Sequence, residues 1–223
     1  MIKLIIFDLD GVLVEAKKIH YDSLNDALEE KYKISWDEHL TKYDGLKTNQ
    51  KLELLTKEKN LPTQEYEKIW KLKQKNTLIS LSKLSPSDSL RNTIEKISLS
   101  GLKIAVCSNS IRKTVLTVLG RLNIIEFFDL ILSNEDVFNS KPHPEIFWKA
   151  MSTMNCLPEE TLIIEDSPTG LLAANRSKAH IMRVNNPNDV TYDNIMKNIN
   201  LKHNHMTPKW KDKDLNVLIP MAG

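Results

Sequence analysis

The chain has 223 residues, 41% hydrophobic and 27% charged, long enough to bury a core without disulfides or a structural metal. Its 31 Lys and Arg against 29 Asp and Glu leave a formal charge of +2, which makes no case for a nucleic-acid surface. Mean hydropathy is -0.35, no apolar run approaches the ~20 residues of a membrane helix, and Cys107 and Cys156 fall outside any zinc or disulfide spacing. These features predict a soluble, cytoplasmic α/β protein with neither nucleic acid nor membrane as partner. In chain order, residues 2–7 read as a first buried strand, too soon followed by acids for a signal peptide. Leu24, Ala27, Leu28 and Tyr32 predict one helical stripe, and Tyr66, Ile69 and Trp70 another. Ser85-Pro86 is expected to open a helix carrying Leu90, Ile94 and Ile97. A strand over 102–107, a helix with Val115, Leu119 and Leu122, and a strand over 128–133 follow. Next come a helix with Ile146, Phe147, Ala150, Met151 and Met154, a strand over 161–165, and a last strand over 181–184.

Short apolar runs alternating with amphipathic ones predict a Rossmann-like parallel sheet flanked by helices. More than ninety residues separate the first two strands, far beyond one crossover helix, and their pattern is wholly helical. The predicted organisation is therefore an α/β core over 1–14 and 85–196 with an inserted α-helical cap over 15–84. Trp36, Trp70 and Trp148 read as core anchors, with Trp36 and Tyr43 also near a substrate loop. Residues 197–214, polar and Lys-rich without a period, read as a linker.

The chemistry gathers where strands end. Asp8 and Asp10 follow the first strand, and carboxylates at i and i+2 point to one side of an extended chain. Gly11 then allows a sharp turn. Glu165 and Asp166 hold the matching place after the 161–165 strand, followed by the helix-starting Ser167-Pro168. Four acids at one sheet edge repel one another, and a divalent cation with all-oxygen ligands, Mg²⁺ rather than zinc, resolves the repulsion. Ser108 and Asn109 supply donors after the second strand, and Lys141 supplies a cation after the third. A cation beside carboxylates and hydroxyl donors suits a phosphoryl group.

In order and spacing, Asp8-Leu9-Asp10-Gly11-Val12-Leu13, Ser108-Asn109, Lys141-Pro142-His143-Pro144 and Glu165-Asp166-Ser167-Pro168-Thr169-Gly170 resemble the four motifs of haloacid dehalogenase-like phosphohydrolases. The β-phosphoglucomutase and phosphoglycolate-phosphatase branch is the most similar in style, and the resemblance spans about residues 1–187. It implies an Mg²⁺-dependent phosphatase of a small phosphorylated metabolite, a sugar phosphate among the candidates. Asp8 would be the nucleophile and Asp10 the acid and then the base, with a closed site favouring its protonated form. Ser108, Asn109 and Lys141 would bind phosphate. The metal would be held by Asp8, Asp166 and the carbonyl of Asp10, with Glu165 direct or through water. Phosphosugar mutases of this branch carry an Arg in the cap loop, where Thr48 stands here beside Lys47. That departure favours the phosphatase over the mutase. Asp10 argues against dehalogenation, and Lys17, Lys18 and Lys47 match a phosphonatase lysine only by position. His20, at the start of the cap, is a candidate to face the cleft. A non-catalytic ligand-binding domain is the alternative outside the enzymes, and the intact set of Asp8, Asp10, Lys141 and Asp166 stands against it. Residues 215–223 resemble the opening strand of sugar-1-phosphate nucleotidyltransferases, which implies fusion to a second domain in a longer protein.

Overall fold

The computed structural model describes residues 1–204. Five parallel strands form one sheet in the order β3-β2-β1-β4-β5: β1 (Leu4–Phe7), β2 (Lys103–Cys107), β3 (Leu130–Leu132), β4 (Thr161–Glu165) and β5 (His180–Arg183). All five lie where the apolar runs predict strands. β3 is shorter than expected because Phe128 packs edge-on against Phe7 at 6.0 Å and Ser133 caps a following 3-10 turn. The central strand is apolar at every position because both faces of the sheet are covered. Ile5 and Phe7 join one core cluster with Val106 and Ile164, whereas Leu4 and Ile6 join another with Ala105 and Ile163. The crossovers run β1 to β2 to β3 on one side and β4 to β5 on the other. The switch between those directions lies at β1 and β4, where ligands of open α/β sheets bind.

Helices α1 (Lys17–Asn25), α2 (Trp36–Glu38), α3 (Thr48–Lys59) and α4 (Tyr66–Leu81) fill the interval between β1 and β2. They bury a cluster of their own, with Leu24, Leu28, Tyr43, Leu52, Leu55 and Ile69 at its centre. The stripe expected to run through Tyr32 breaks after Asn25. The Asn25 carboxamide exchanges two hydrogen bonds with the backbone of Ile34, at 2.9 and 3.0 Å, which folds the chain back on itself. Leu28 and Tyr32 reach the same cluster from a turn and a 3-10 segment. Trp70 lines a cavity, but Trp36 and Trp148 are 39% and 47% exposed and anchor no core. Tyr43 is buried, with its hydroxyl on Glu58 at 3.2 Å, and is not a substrate residue.

The remaining helices are α5 (Asp88–Leu99), α6 (Arg112–Arg121), α7 (Glu145–Thr153), α8 (Pro168–Ser177) and α9 (Tyr192–Asn204). α5 starts two residues after the expected Pro86, because Ser87 is the residue that caps it. α9 runs into the stretch expected to be a linker, since Ile195 and Ile199 sit one turn apart and both join the core. The rest of that linker and the 215–223 resemblance lie outside the described residues. Among the described residues no helix is long and apolar enough to cross a membrane.

His39 gives the helical insert a pH dependence. Its ring is fully buried, stacks on Trp36 at 5.4 Å, and among the described residues has no hydrogen-bond partner at either nitrogen. Burial, aided by the nearby cations led by Lys51, pushes its pKa down from 6.5 to about 3. A folded value below the unfolded one means stability that is full above about 6.5 and drains away as pH falls toward about 3. The slope is bounded by ~1.4 kcal/mol per pH unit. His39→Phe keeps the stacking and removes the titration. Urea midpoints of the two proteins from pH 7 to 4 are expected to diverge as pH falls, the wild type dropping below His39→Phe, and parallel curves would refute this role for His39.

Candidate active site

β1 delivers Asp8 to the carboxyl edge of the sheet, where its N–H still donates to Ile164 O at 3.0 Å. Gly11 then turns the chain at φ +88°, and its N–H closes on Val14 O at 2.7 Å. A Cβ at Gly11 would stand 2.1 Å from Asp166 Oδ2, so glycine is required by conformation and by space together. Asp8 and Asp10 thereby share one side of the turn, as the i, i+2 spacing predicts.

Lys141 is 2% exposed and reaches in from the β3–α7 connection. Its ammonium donates to Asp8 Oδ1 at 2.7 Å, Glu165 Oε1 at 2.6 Å and Cys107 O at 2.9 Å. Burial opposes its charge, yet the two carboxylates prevail and hold its pKa above that of an ordinary lysine. Glu165 Oε2 meanwhile accepts from the N–H groups of Asp166 and Ser167 at 2.9 and 3.1 Å, and from Ser167 Oγ at 3.2 Å. Every oxygen of Glu165 is thus occupied by protein donors, a sign that it orients Lys141 and the start of α8. Gly170 lets the first turn of α8 close over Glu165, since a Cβ there would lie 1.8 Å from Oε1.

Asp166 has the opposite environment. It is buried, among the described residues neither of its oxygens accepts a hydrogen bond of normal geometry, and its charge is met by Lys17 Nζ at 2.7 Å. Burial and the neighbouring Glu165 push its pKa up to about 7. One oxygen from each of Asp8, Glu165 and Asp166 lies within 4.8 Å of the others. Mutually repelling buried carboxylates, with Asp166 short of donors, fit a hard divalent cation, while Glu165 already has its oxygens engaged. Burial, with Glu165 adjacent, also raises the pKa of Asp8 well above its usual range, which a cation would reverse.

Asp10 has separate partners. Ser110 Oγ donates to Oδ2 at 3.0 Å, and His20 Nε2 lies 3.1 Å from Oδ1. On the far side of the ring, His20 Nδ1 is 3.4 Å from the ammonium of Lys73. Burial works against the Asp10 charge, but His20, Ser110 and Lys73 outweigh it and hold the carboxyl below its usual range. In the protein without substrate these neighbours favour the carboxylate of Asp10, so the proton expected there must come with the substrate. His20 itself is pushed down by burial and by Lys73, against the pull of Asp10.

The remaining candidates meet in the same cavity of about 260 Å³, which His20, Lys47, Thr48, Ser108, Asn109 and Lys141 all help to line. Asn109 has its side chain engaged elsewhere. Its amide donates to Gly45 O at 2.9 Å and to Lys141 O at 3.2 Å, and its carbonyl accepts from Lys141 N at 3.1 Å. It ties the insert to the loop that presents Lys141. Thr48 accepts from Gln74 Nε2 at 3.2 Å, which leaves its own O–H free to donate. Lys51 and Lys73 line the same cavity and motif reading passes over them, as it does the bond from Ser110 to Asp10. For the two lysines a signal exists: Lys51 and Lys73 fall on the buried stripes of α3 and α4, where a lysine is out of place.

Fold and site together define a Rossmann-like α/β enzyme whose carboxylates and buried lysine meet at the carboxyl edge of the sheet. The chain belongs to the haloacid dehalogenase-like hydrolase family, whose model matches residues 5–184. It is similar to the phosphorylated carbohydrates phosphatase of Thermotoga maritima, with 25% identity over 172 residues covering 76% of this chain and 79% of that protein. The phosphoglycolate phosphatase of Aquifex aeolicus is 28% identical over 176 residues, 78% of this chain and 81% of that one. The crystal structure of β-phosphoglucomutase from Clostridium difficile shares the fold with a TM-score of 0.75 at 21% identity, covering 92% of this chain and 100% of that one.

Proposed function

We propose that this protein is a Mg²⁺-dependent phosphatase that hydrolyses a small phosphorylated metabolite, a sugar phosphate among the candidates, through a phosphoryl-aspartate on Asp8. The observation that carries this reading is the division of partners between two adjacent carboxylates. Lys141 holds Asp8, whereas His20 and Ser110 hold Asp10. Different environments for paired carboxylates assign different roles. The phosphatase names of the Thermotoga and Aquifex relatives support it from outside.

Asp8 attacks phosphorus, and the bond to the leaving oxygen breaks with its electron pair. Asp10 gives that oxygen a proton, then as carboxylate takes one from the water that cleaves the phosphoryl-aspartate. The ionised Asp10 of this structure is ready for the second step. For the first, a phosphoryl dianion placed beside it raises its affinity for a proton. Lys73, pushed down to about 7 by burial and by Lys51, exchanges protons near neutrality and reaches Asp10 through the His20 ring. Ser108 and Lys141 hold the phosphoryl oxygens. Asp8, Asp166 and the carbonyl of Asp10 would hold Mg²⁺, which supplies positive charge to offset the gathered carboxylates and the phosphoryl group. Glu165 acts through Lys141. The insert over 15–84 serves as the cap, held to the core by Asn109 on Gly45 and by Lys17, which is 3.7 Å from Asp44 and 2.7 Å from Asp166.

A panel of phosphate esters assayed with Mg²⁺ tests the proposal. Inorganic phosphate is expected to appear and to vanish with EDTA. An ester isomerised without free phosphate would favour the mutase, and a panel left intact would favour a ligand-binding domain; either result overturns the phosphatase.

A further inference from the structure

Lysine on a helix ordinarily keeps its ammonium in water. Lys51 on α3 is 4% exposed, at a position between the buried Thr48 and Leu55. Its neighbour Lys73 has His20 as a partner. Among the described residues the Lys51 side chain has no hydrogen bond and no ion pair, yet it lines the cavity. The acids that share the cavity with it are already engaged. Asp44 is 3.7 Å from Lys17, Glu135 accepts from the Arg112 N–H at 2.6 Å, and Asp10 is held by Ser110 and His20. Burial lowers the pKa of Lys51, against the weaker pull of Asp44 and Asp10. A buried, uncompensated cation destabilises a fold, and its persistence calls for an anion that arrives from outside.

The phosphoryl group is not that anion. Its own cation, Lys141, stands on the sheet wall, whereas Lys51 stands on the helical wall. We infer that Lys51 selects the substrate by pairing with a second anionic group, a carboxylate or a second phosphate, on the leaving-group side of the ester. This rests on the phosphatase reading and sharpens it: the substrate class is a small phosphorylated acid or a bisphosphate rather than a phosphorylated neutral alcohol. A cavity of about 260 Å³ suits an ester of that size.

Steady-state kinetics on three matched probes test the inference: 3-phosphoglycerate, propane-1,3-diyl bisphosphate and the neutral-tailed glycerol 3-phosphate. The wild type is expected to favour one of the first two in kcat/KM, and the arm that wins identifies the anion. Lys51→Met should reduce that preference roughly 10–100-fold, chiefly through KM, as loss of one charge-assisted hydrogen bond does. Lys51→Arg should restore most of it. Because the lysine is uncompensated, Lys51→Met should melt at or above the wild-type temperature. A wild type without preference, or a Lys51→Met protein that loses equally on all three probes or melts lower, overturns the inference. Should no ester be hydrolysed, the phosphatase reading fails by itself. Calorimetric titration of the Asp8→Asn protein with the same probes then decides the role of Lys51. Tighter binding of an anionic-tailed probe, lost on adding Lys51→Met, sustains it; equal binding of all three overturns it.

Discussion

Asp8→Asn is expected to reduce phosphate release by roughly 10⁵-fold, the scale seen when a covalent nucleophile is removed. The amide keeps the size and most of the contacts of the carboxylate but has no electron pair fit to attack phosphorus. Two of the neighbouring carboxylates are held by other partners. Glu165 has its oxygens engaged by Lys141, Asp166 N–H and Ser167, and Asp10 is turned to His20 and Ser110. The fold should survive. Asp8 is a buried carboxyl whose pKa burial and Glu165 raise, so its charge weakens the folded state at neutral pH. The sign follows from linkage: a raised folded pKa gives stability that is full below the unfolded value and lost as pH rises through the folded one. Removing that titration costs nothing of its own at pH 7, and Lys141 keeps Glu165 as its counter-ion. The melting temperature should therefore stay within a few degrees of wild type. Mass spectrometry of enzyme quenched during turnover should find a phosphoryl group on Asp8 in the wild type and none in the variant. Release above a hundredth of the wild-type rate would remove Asp8 from the role.

The sheet and its acid-bearing edge are legible in the chain because their signals are local. A strand buried on both faces reads as an unbroken apolar run, and Ile5, Ile6 and Phe7 lead straight into Asp8. Ser167-Pro168 marks the start of α8 for the same reason: a capping hydroxyl and a proline act on their own turn. What the motifs cannot carry is the use to which a side chain is put across the chain. Asn109 looks like a phosphate donor in sequence, yet its partners are Gly45 and Lys141, 64 and 32 residues away. Asn25 ends α1 through Ile34, and periodicity alone runs straight through it. The protonation of Asp10 follows from His20 and Lys73, which the fold brings from the far ends of the insert.

The cap lysines are an intermediate case. Thr48, Lys51, Leu52 and Leu55 share the buried face of α3, and Ile69, Lys73, Gln74 and Thr77 that of α4. Both stripes turn polar where they face the cavity. A buried stripe that is apolar but for a polar stretch holding a lysine marks a helix that packs on its neighbours and faces a ligand site at once. That reading needs the stripe to be drawn first and its polar members then kept.

Lys141→Met should show how far the site's chemistry and its stability depend on one ammonium. Three acceptors lose their donor together: Asp8 Oδ1, Glu165 Oε1 and Cys107 O. Methionine fills much of the same volume, so the change is mainly electrostatic. Two buried carboxylates left without their counter-ion should destabilise the protein by about 3–5 kcal/mol at neutral pH. Activity should fall at least ~10³-fold, because the same ammonium positions Asp8 and meets the charge that moves onto the phosphoryl oxygens. The pH dependence separates this from loss of packing. In the wild type the raised pKa of Lys141 gives stability that is full below the unfolded value of 10.5 and lost only as pH rises through the folded one, so its contribution is level from pH 5 to 8. In the variant the freed carboxyls bind protons more readily folded than unfolded. Their folded form gains as pH falls and loses as pH rises. Denaturant midpoints should thus show a deficit that is largest at pH 8 and shrinks toward pH 5. A deficit constant across that range would mean that Lys141 acts by packing, on the Phe147 ring 4.8 Å from its ammonium, and not by holding the carboxylates.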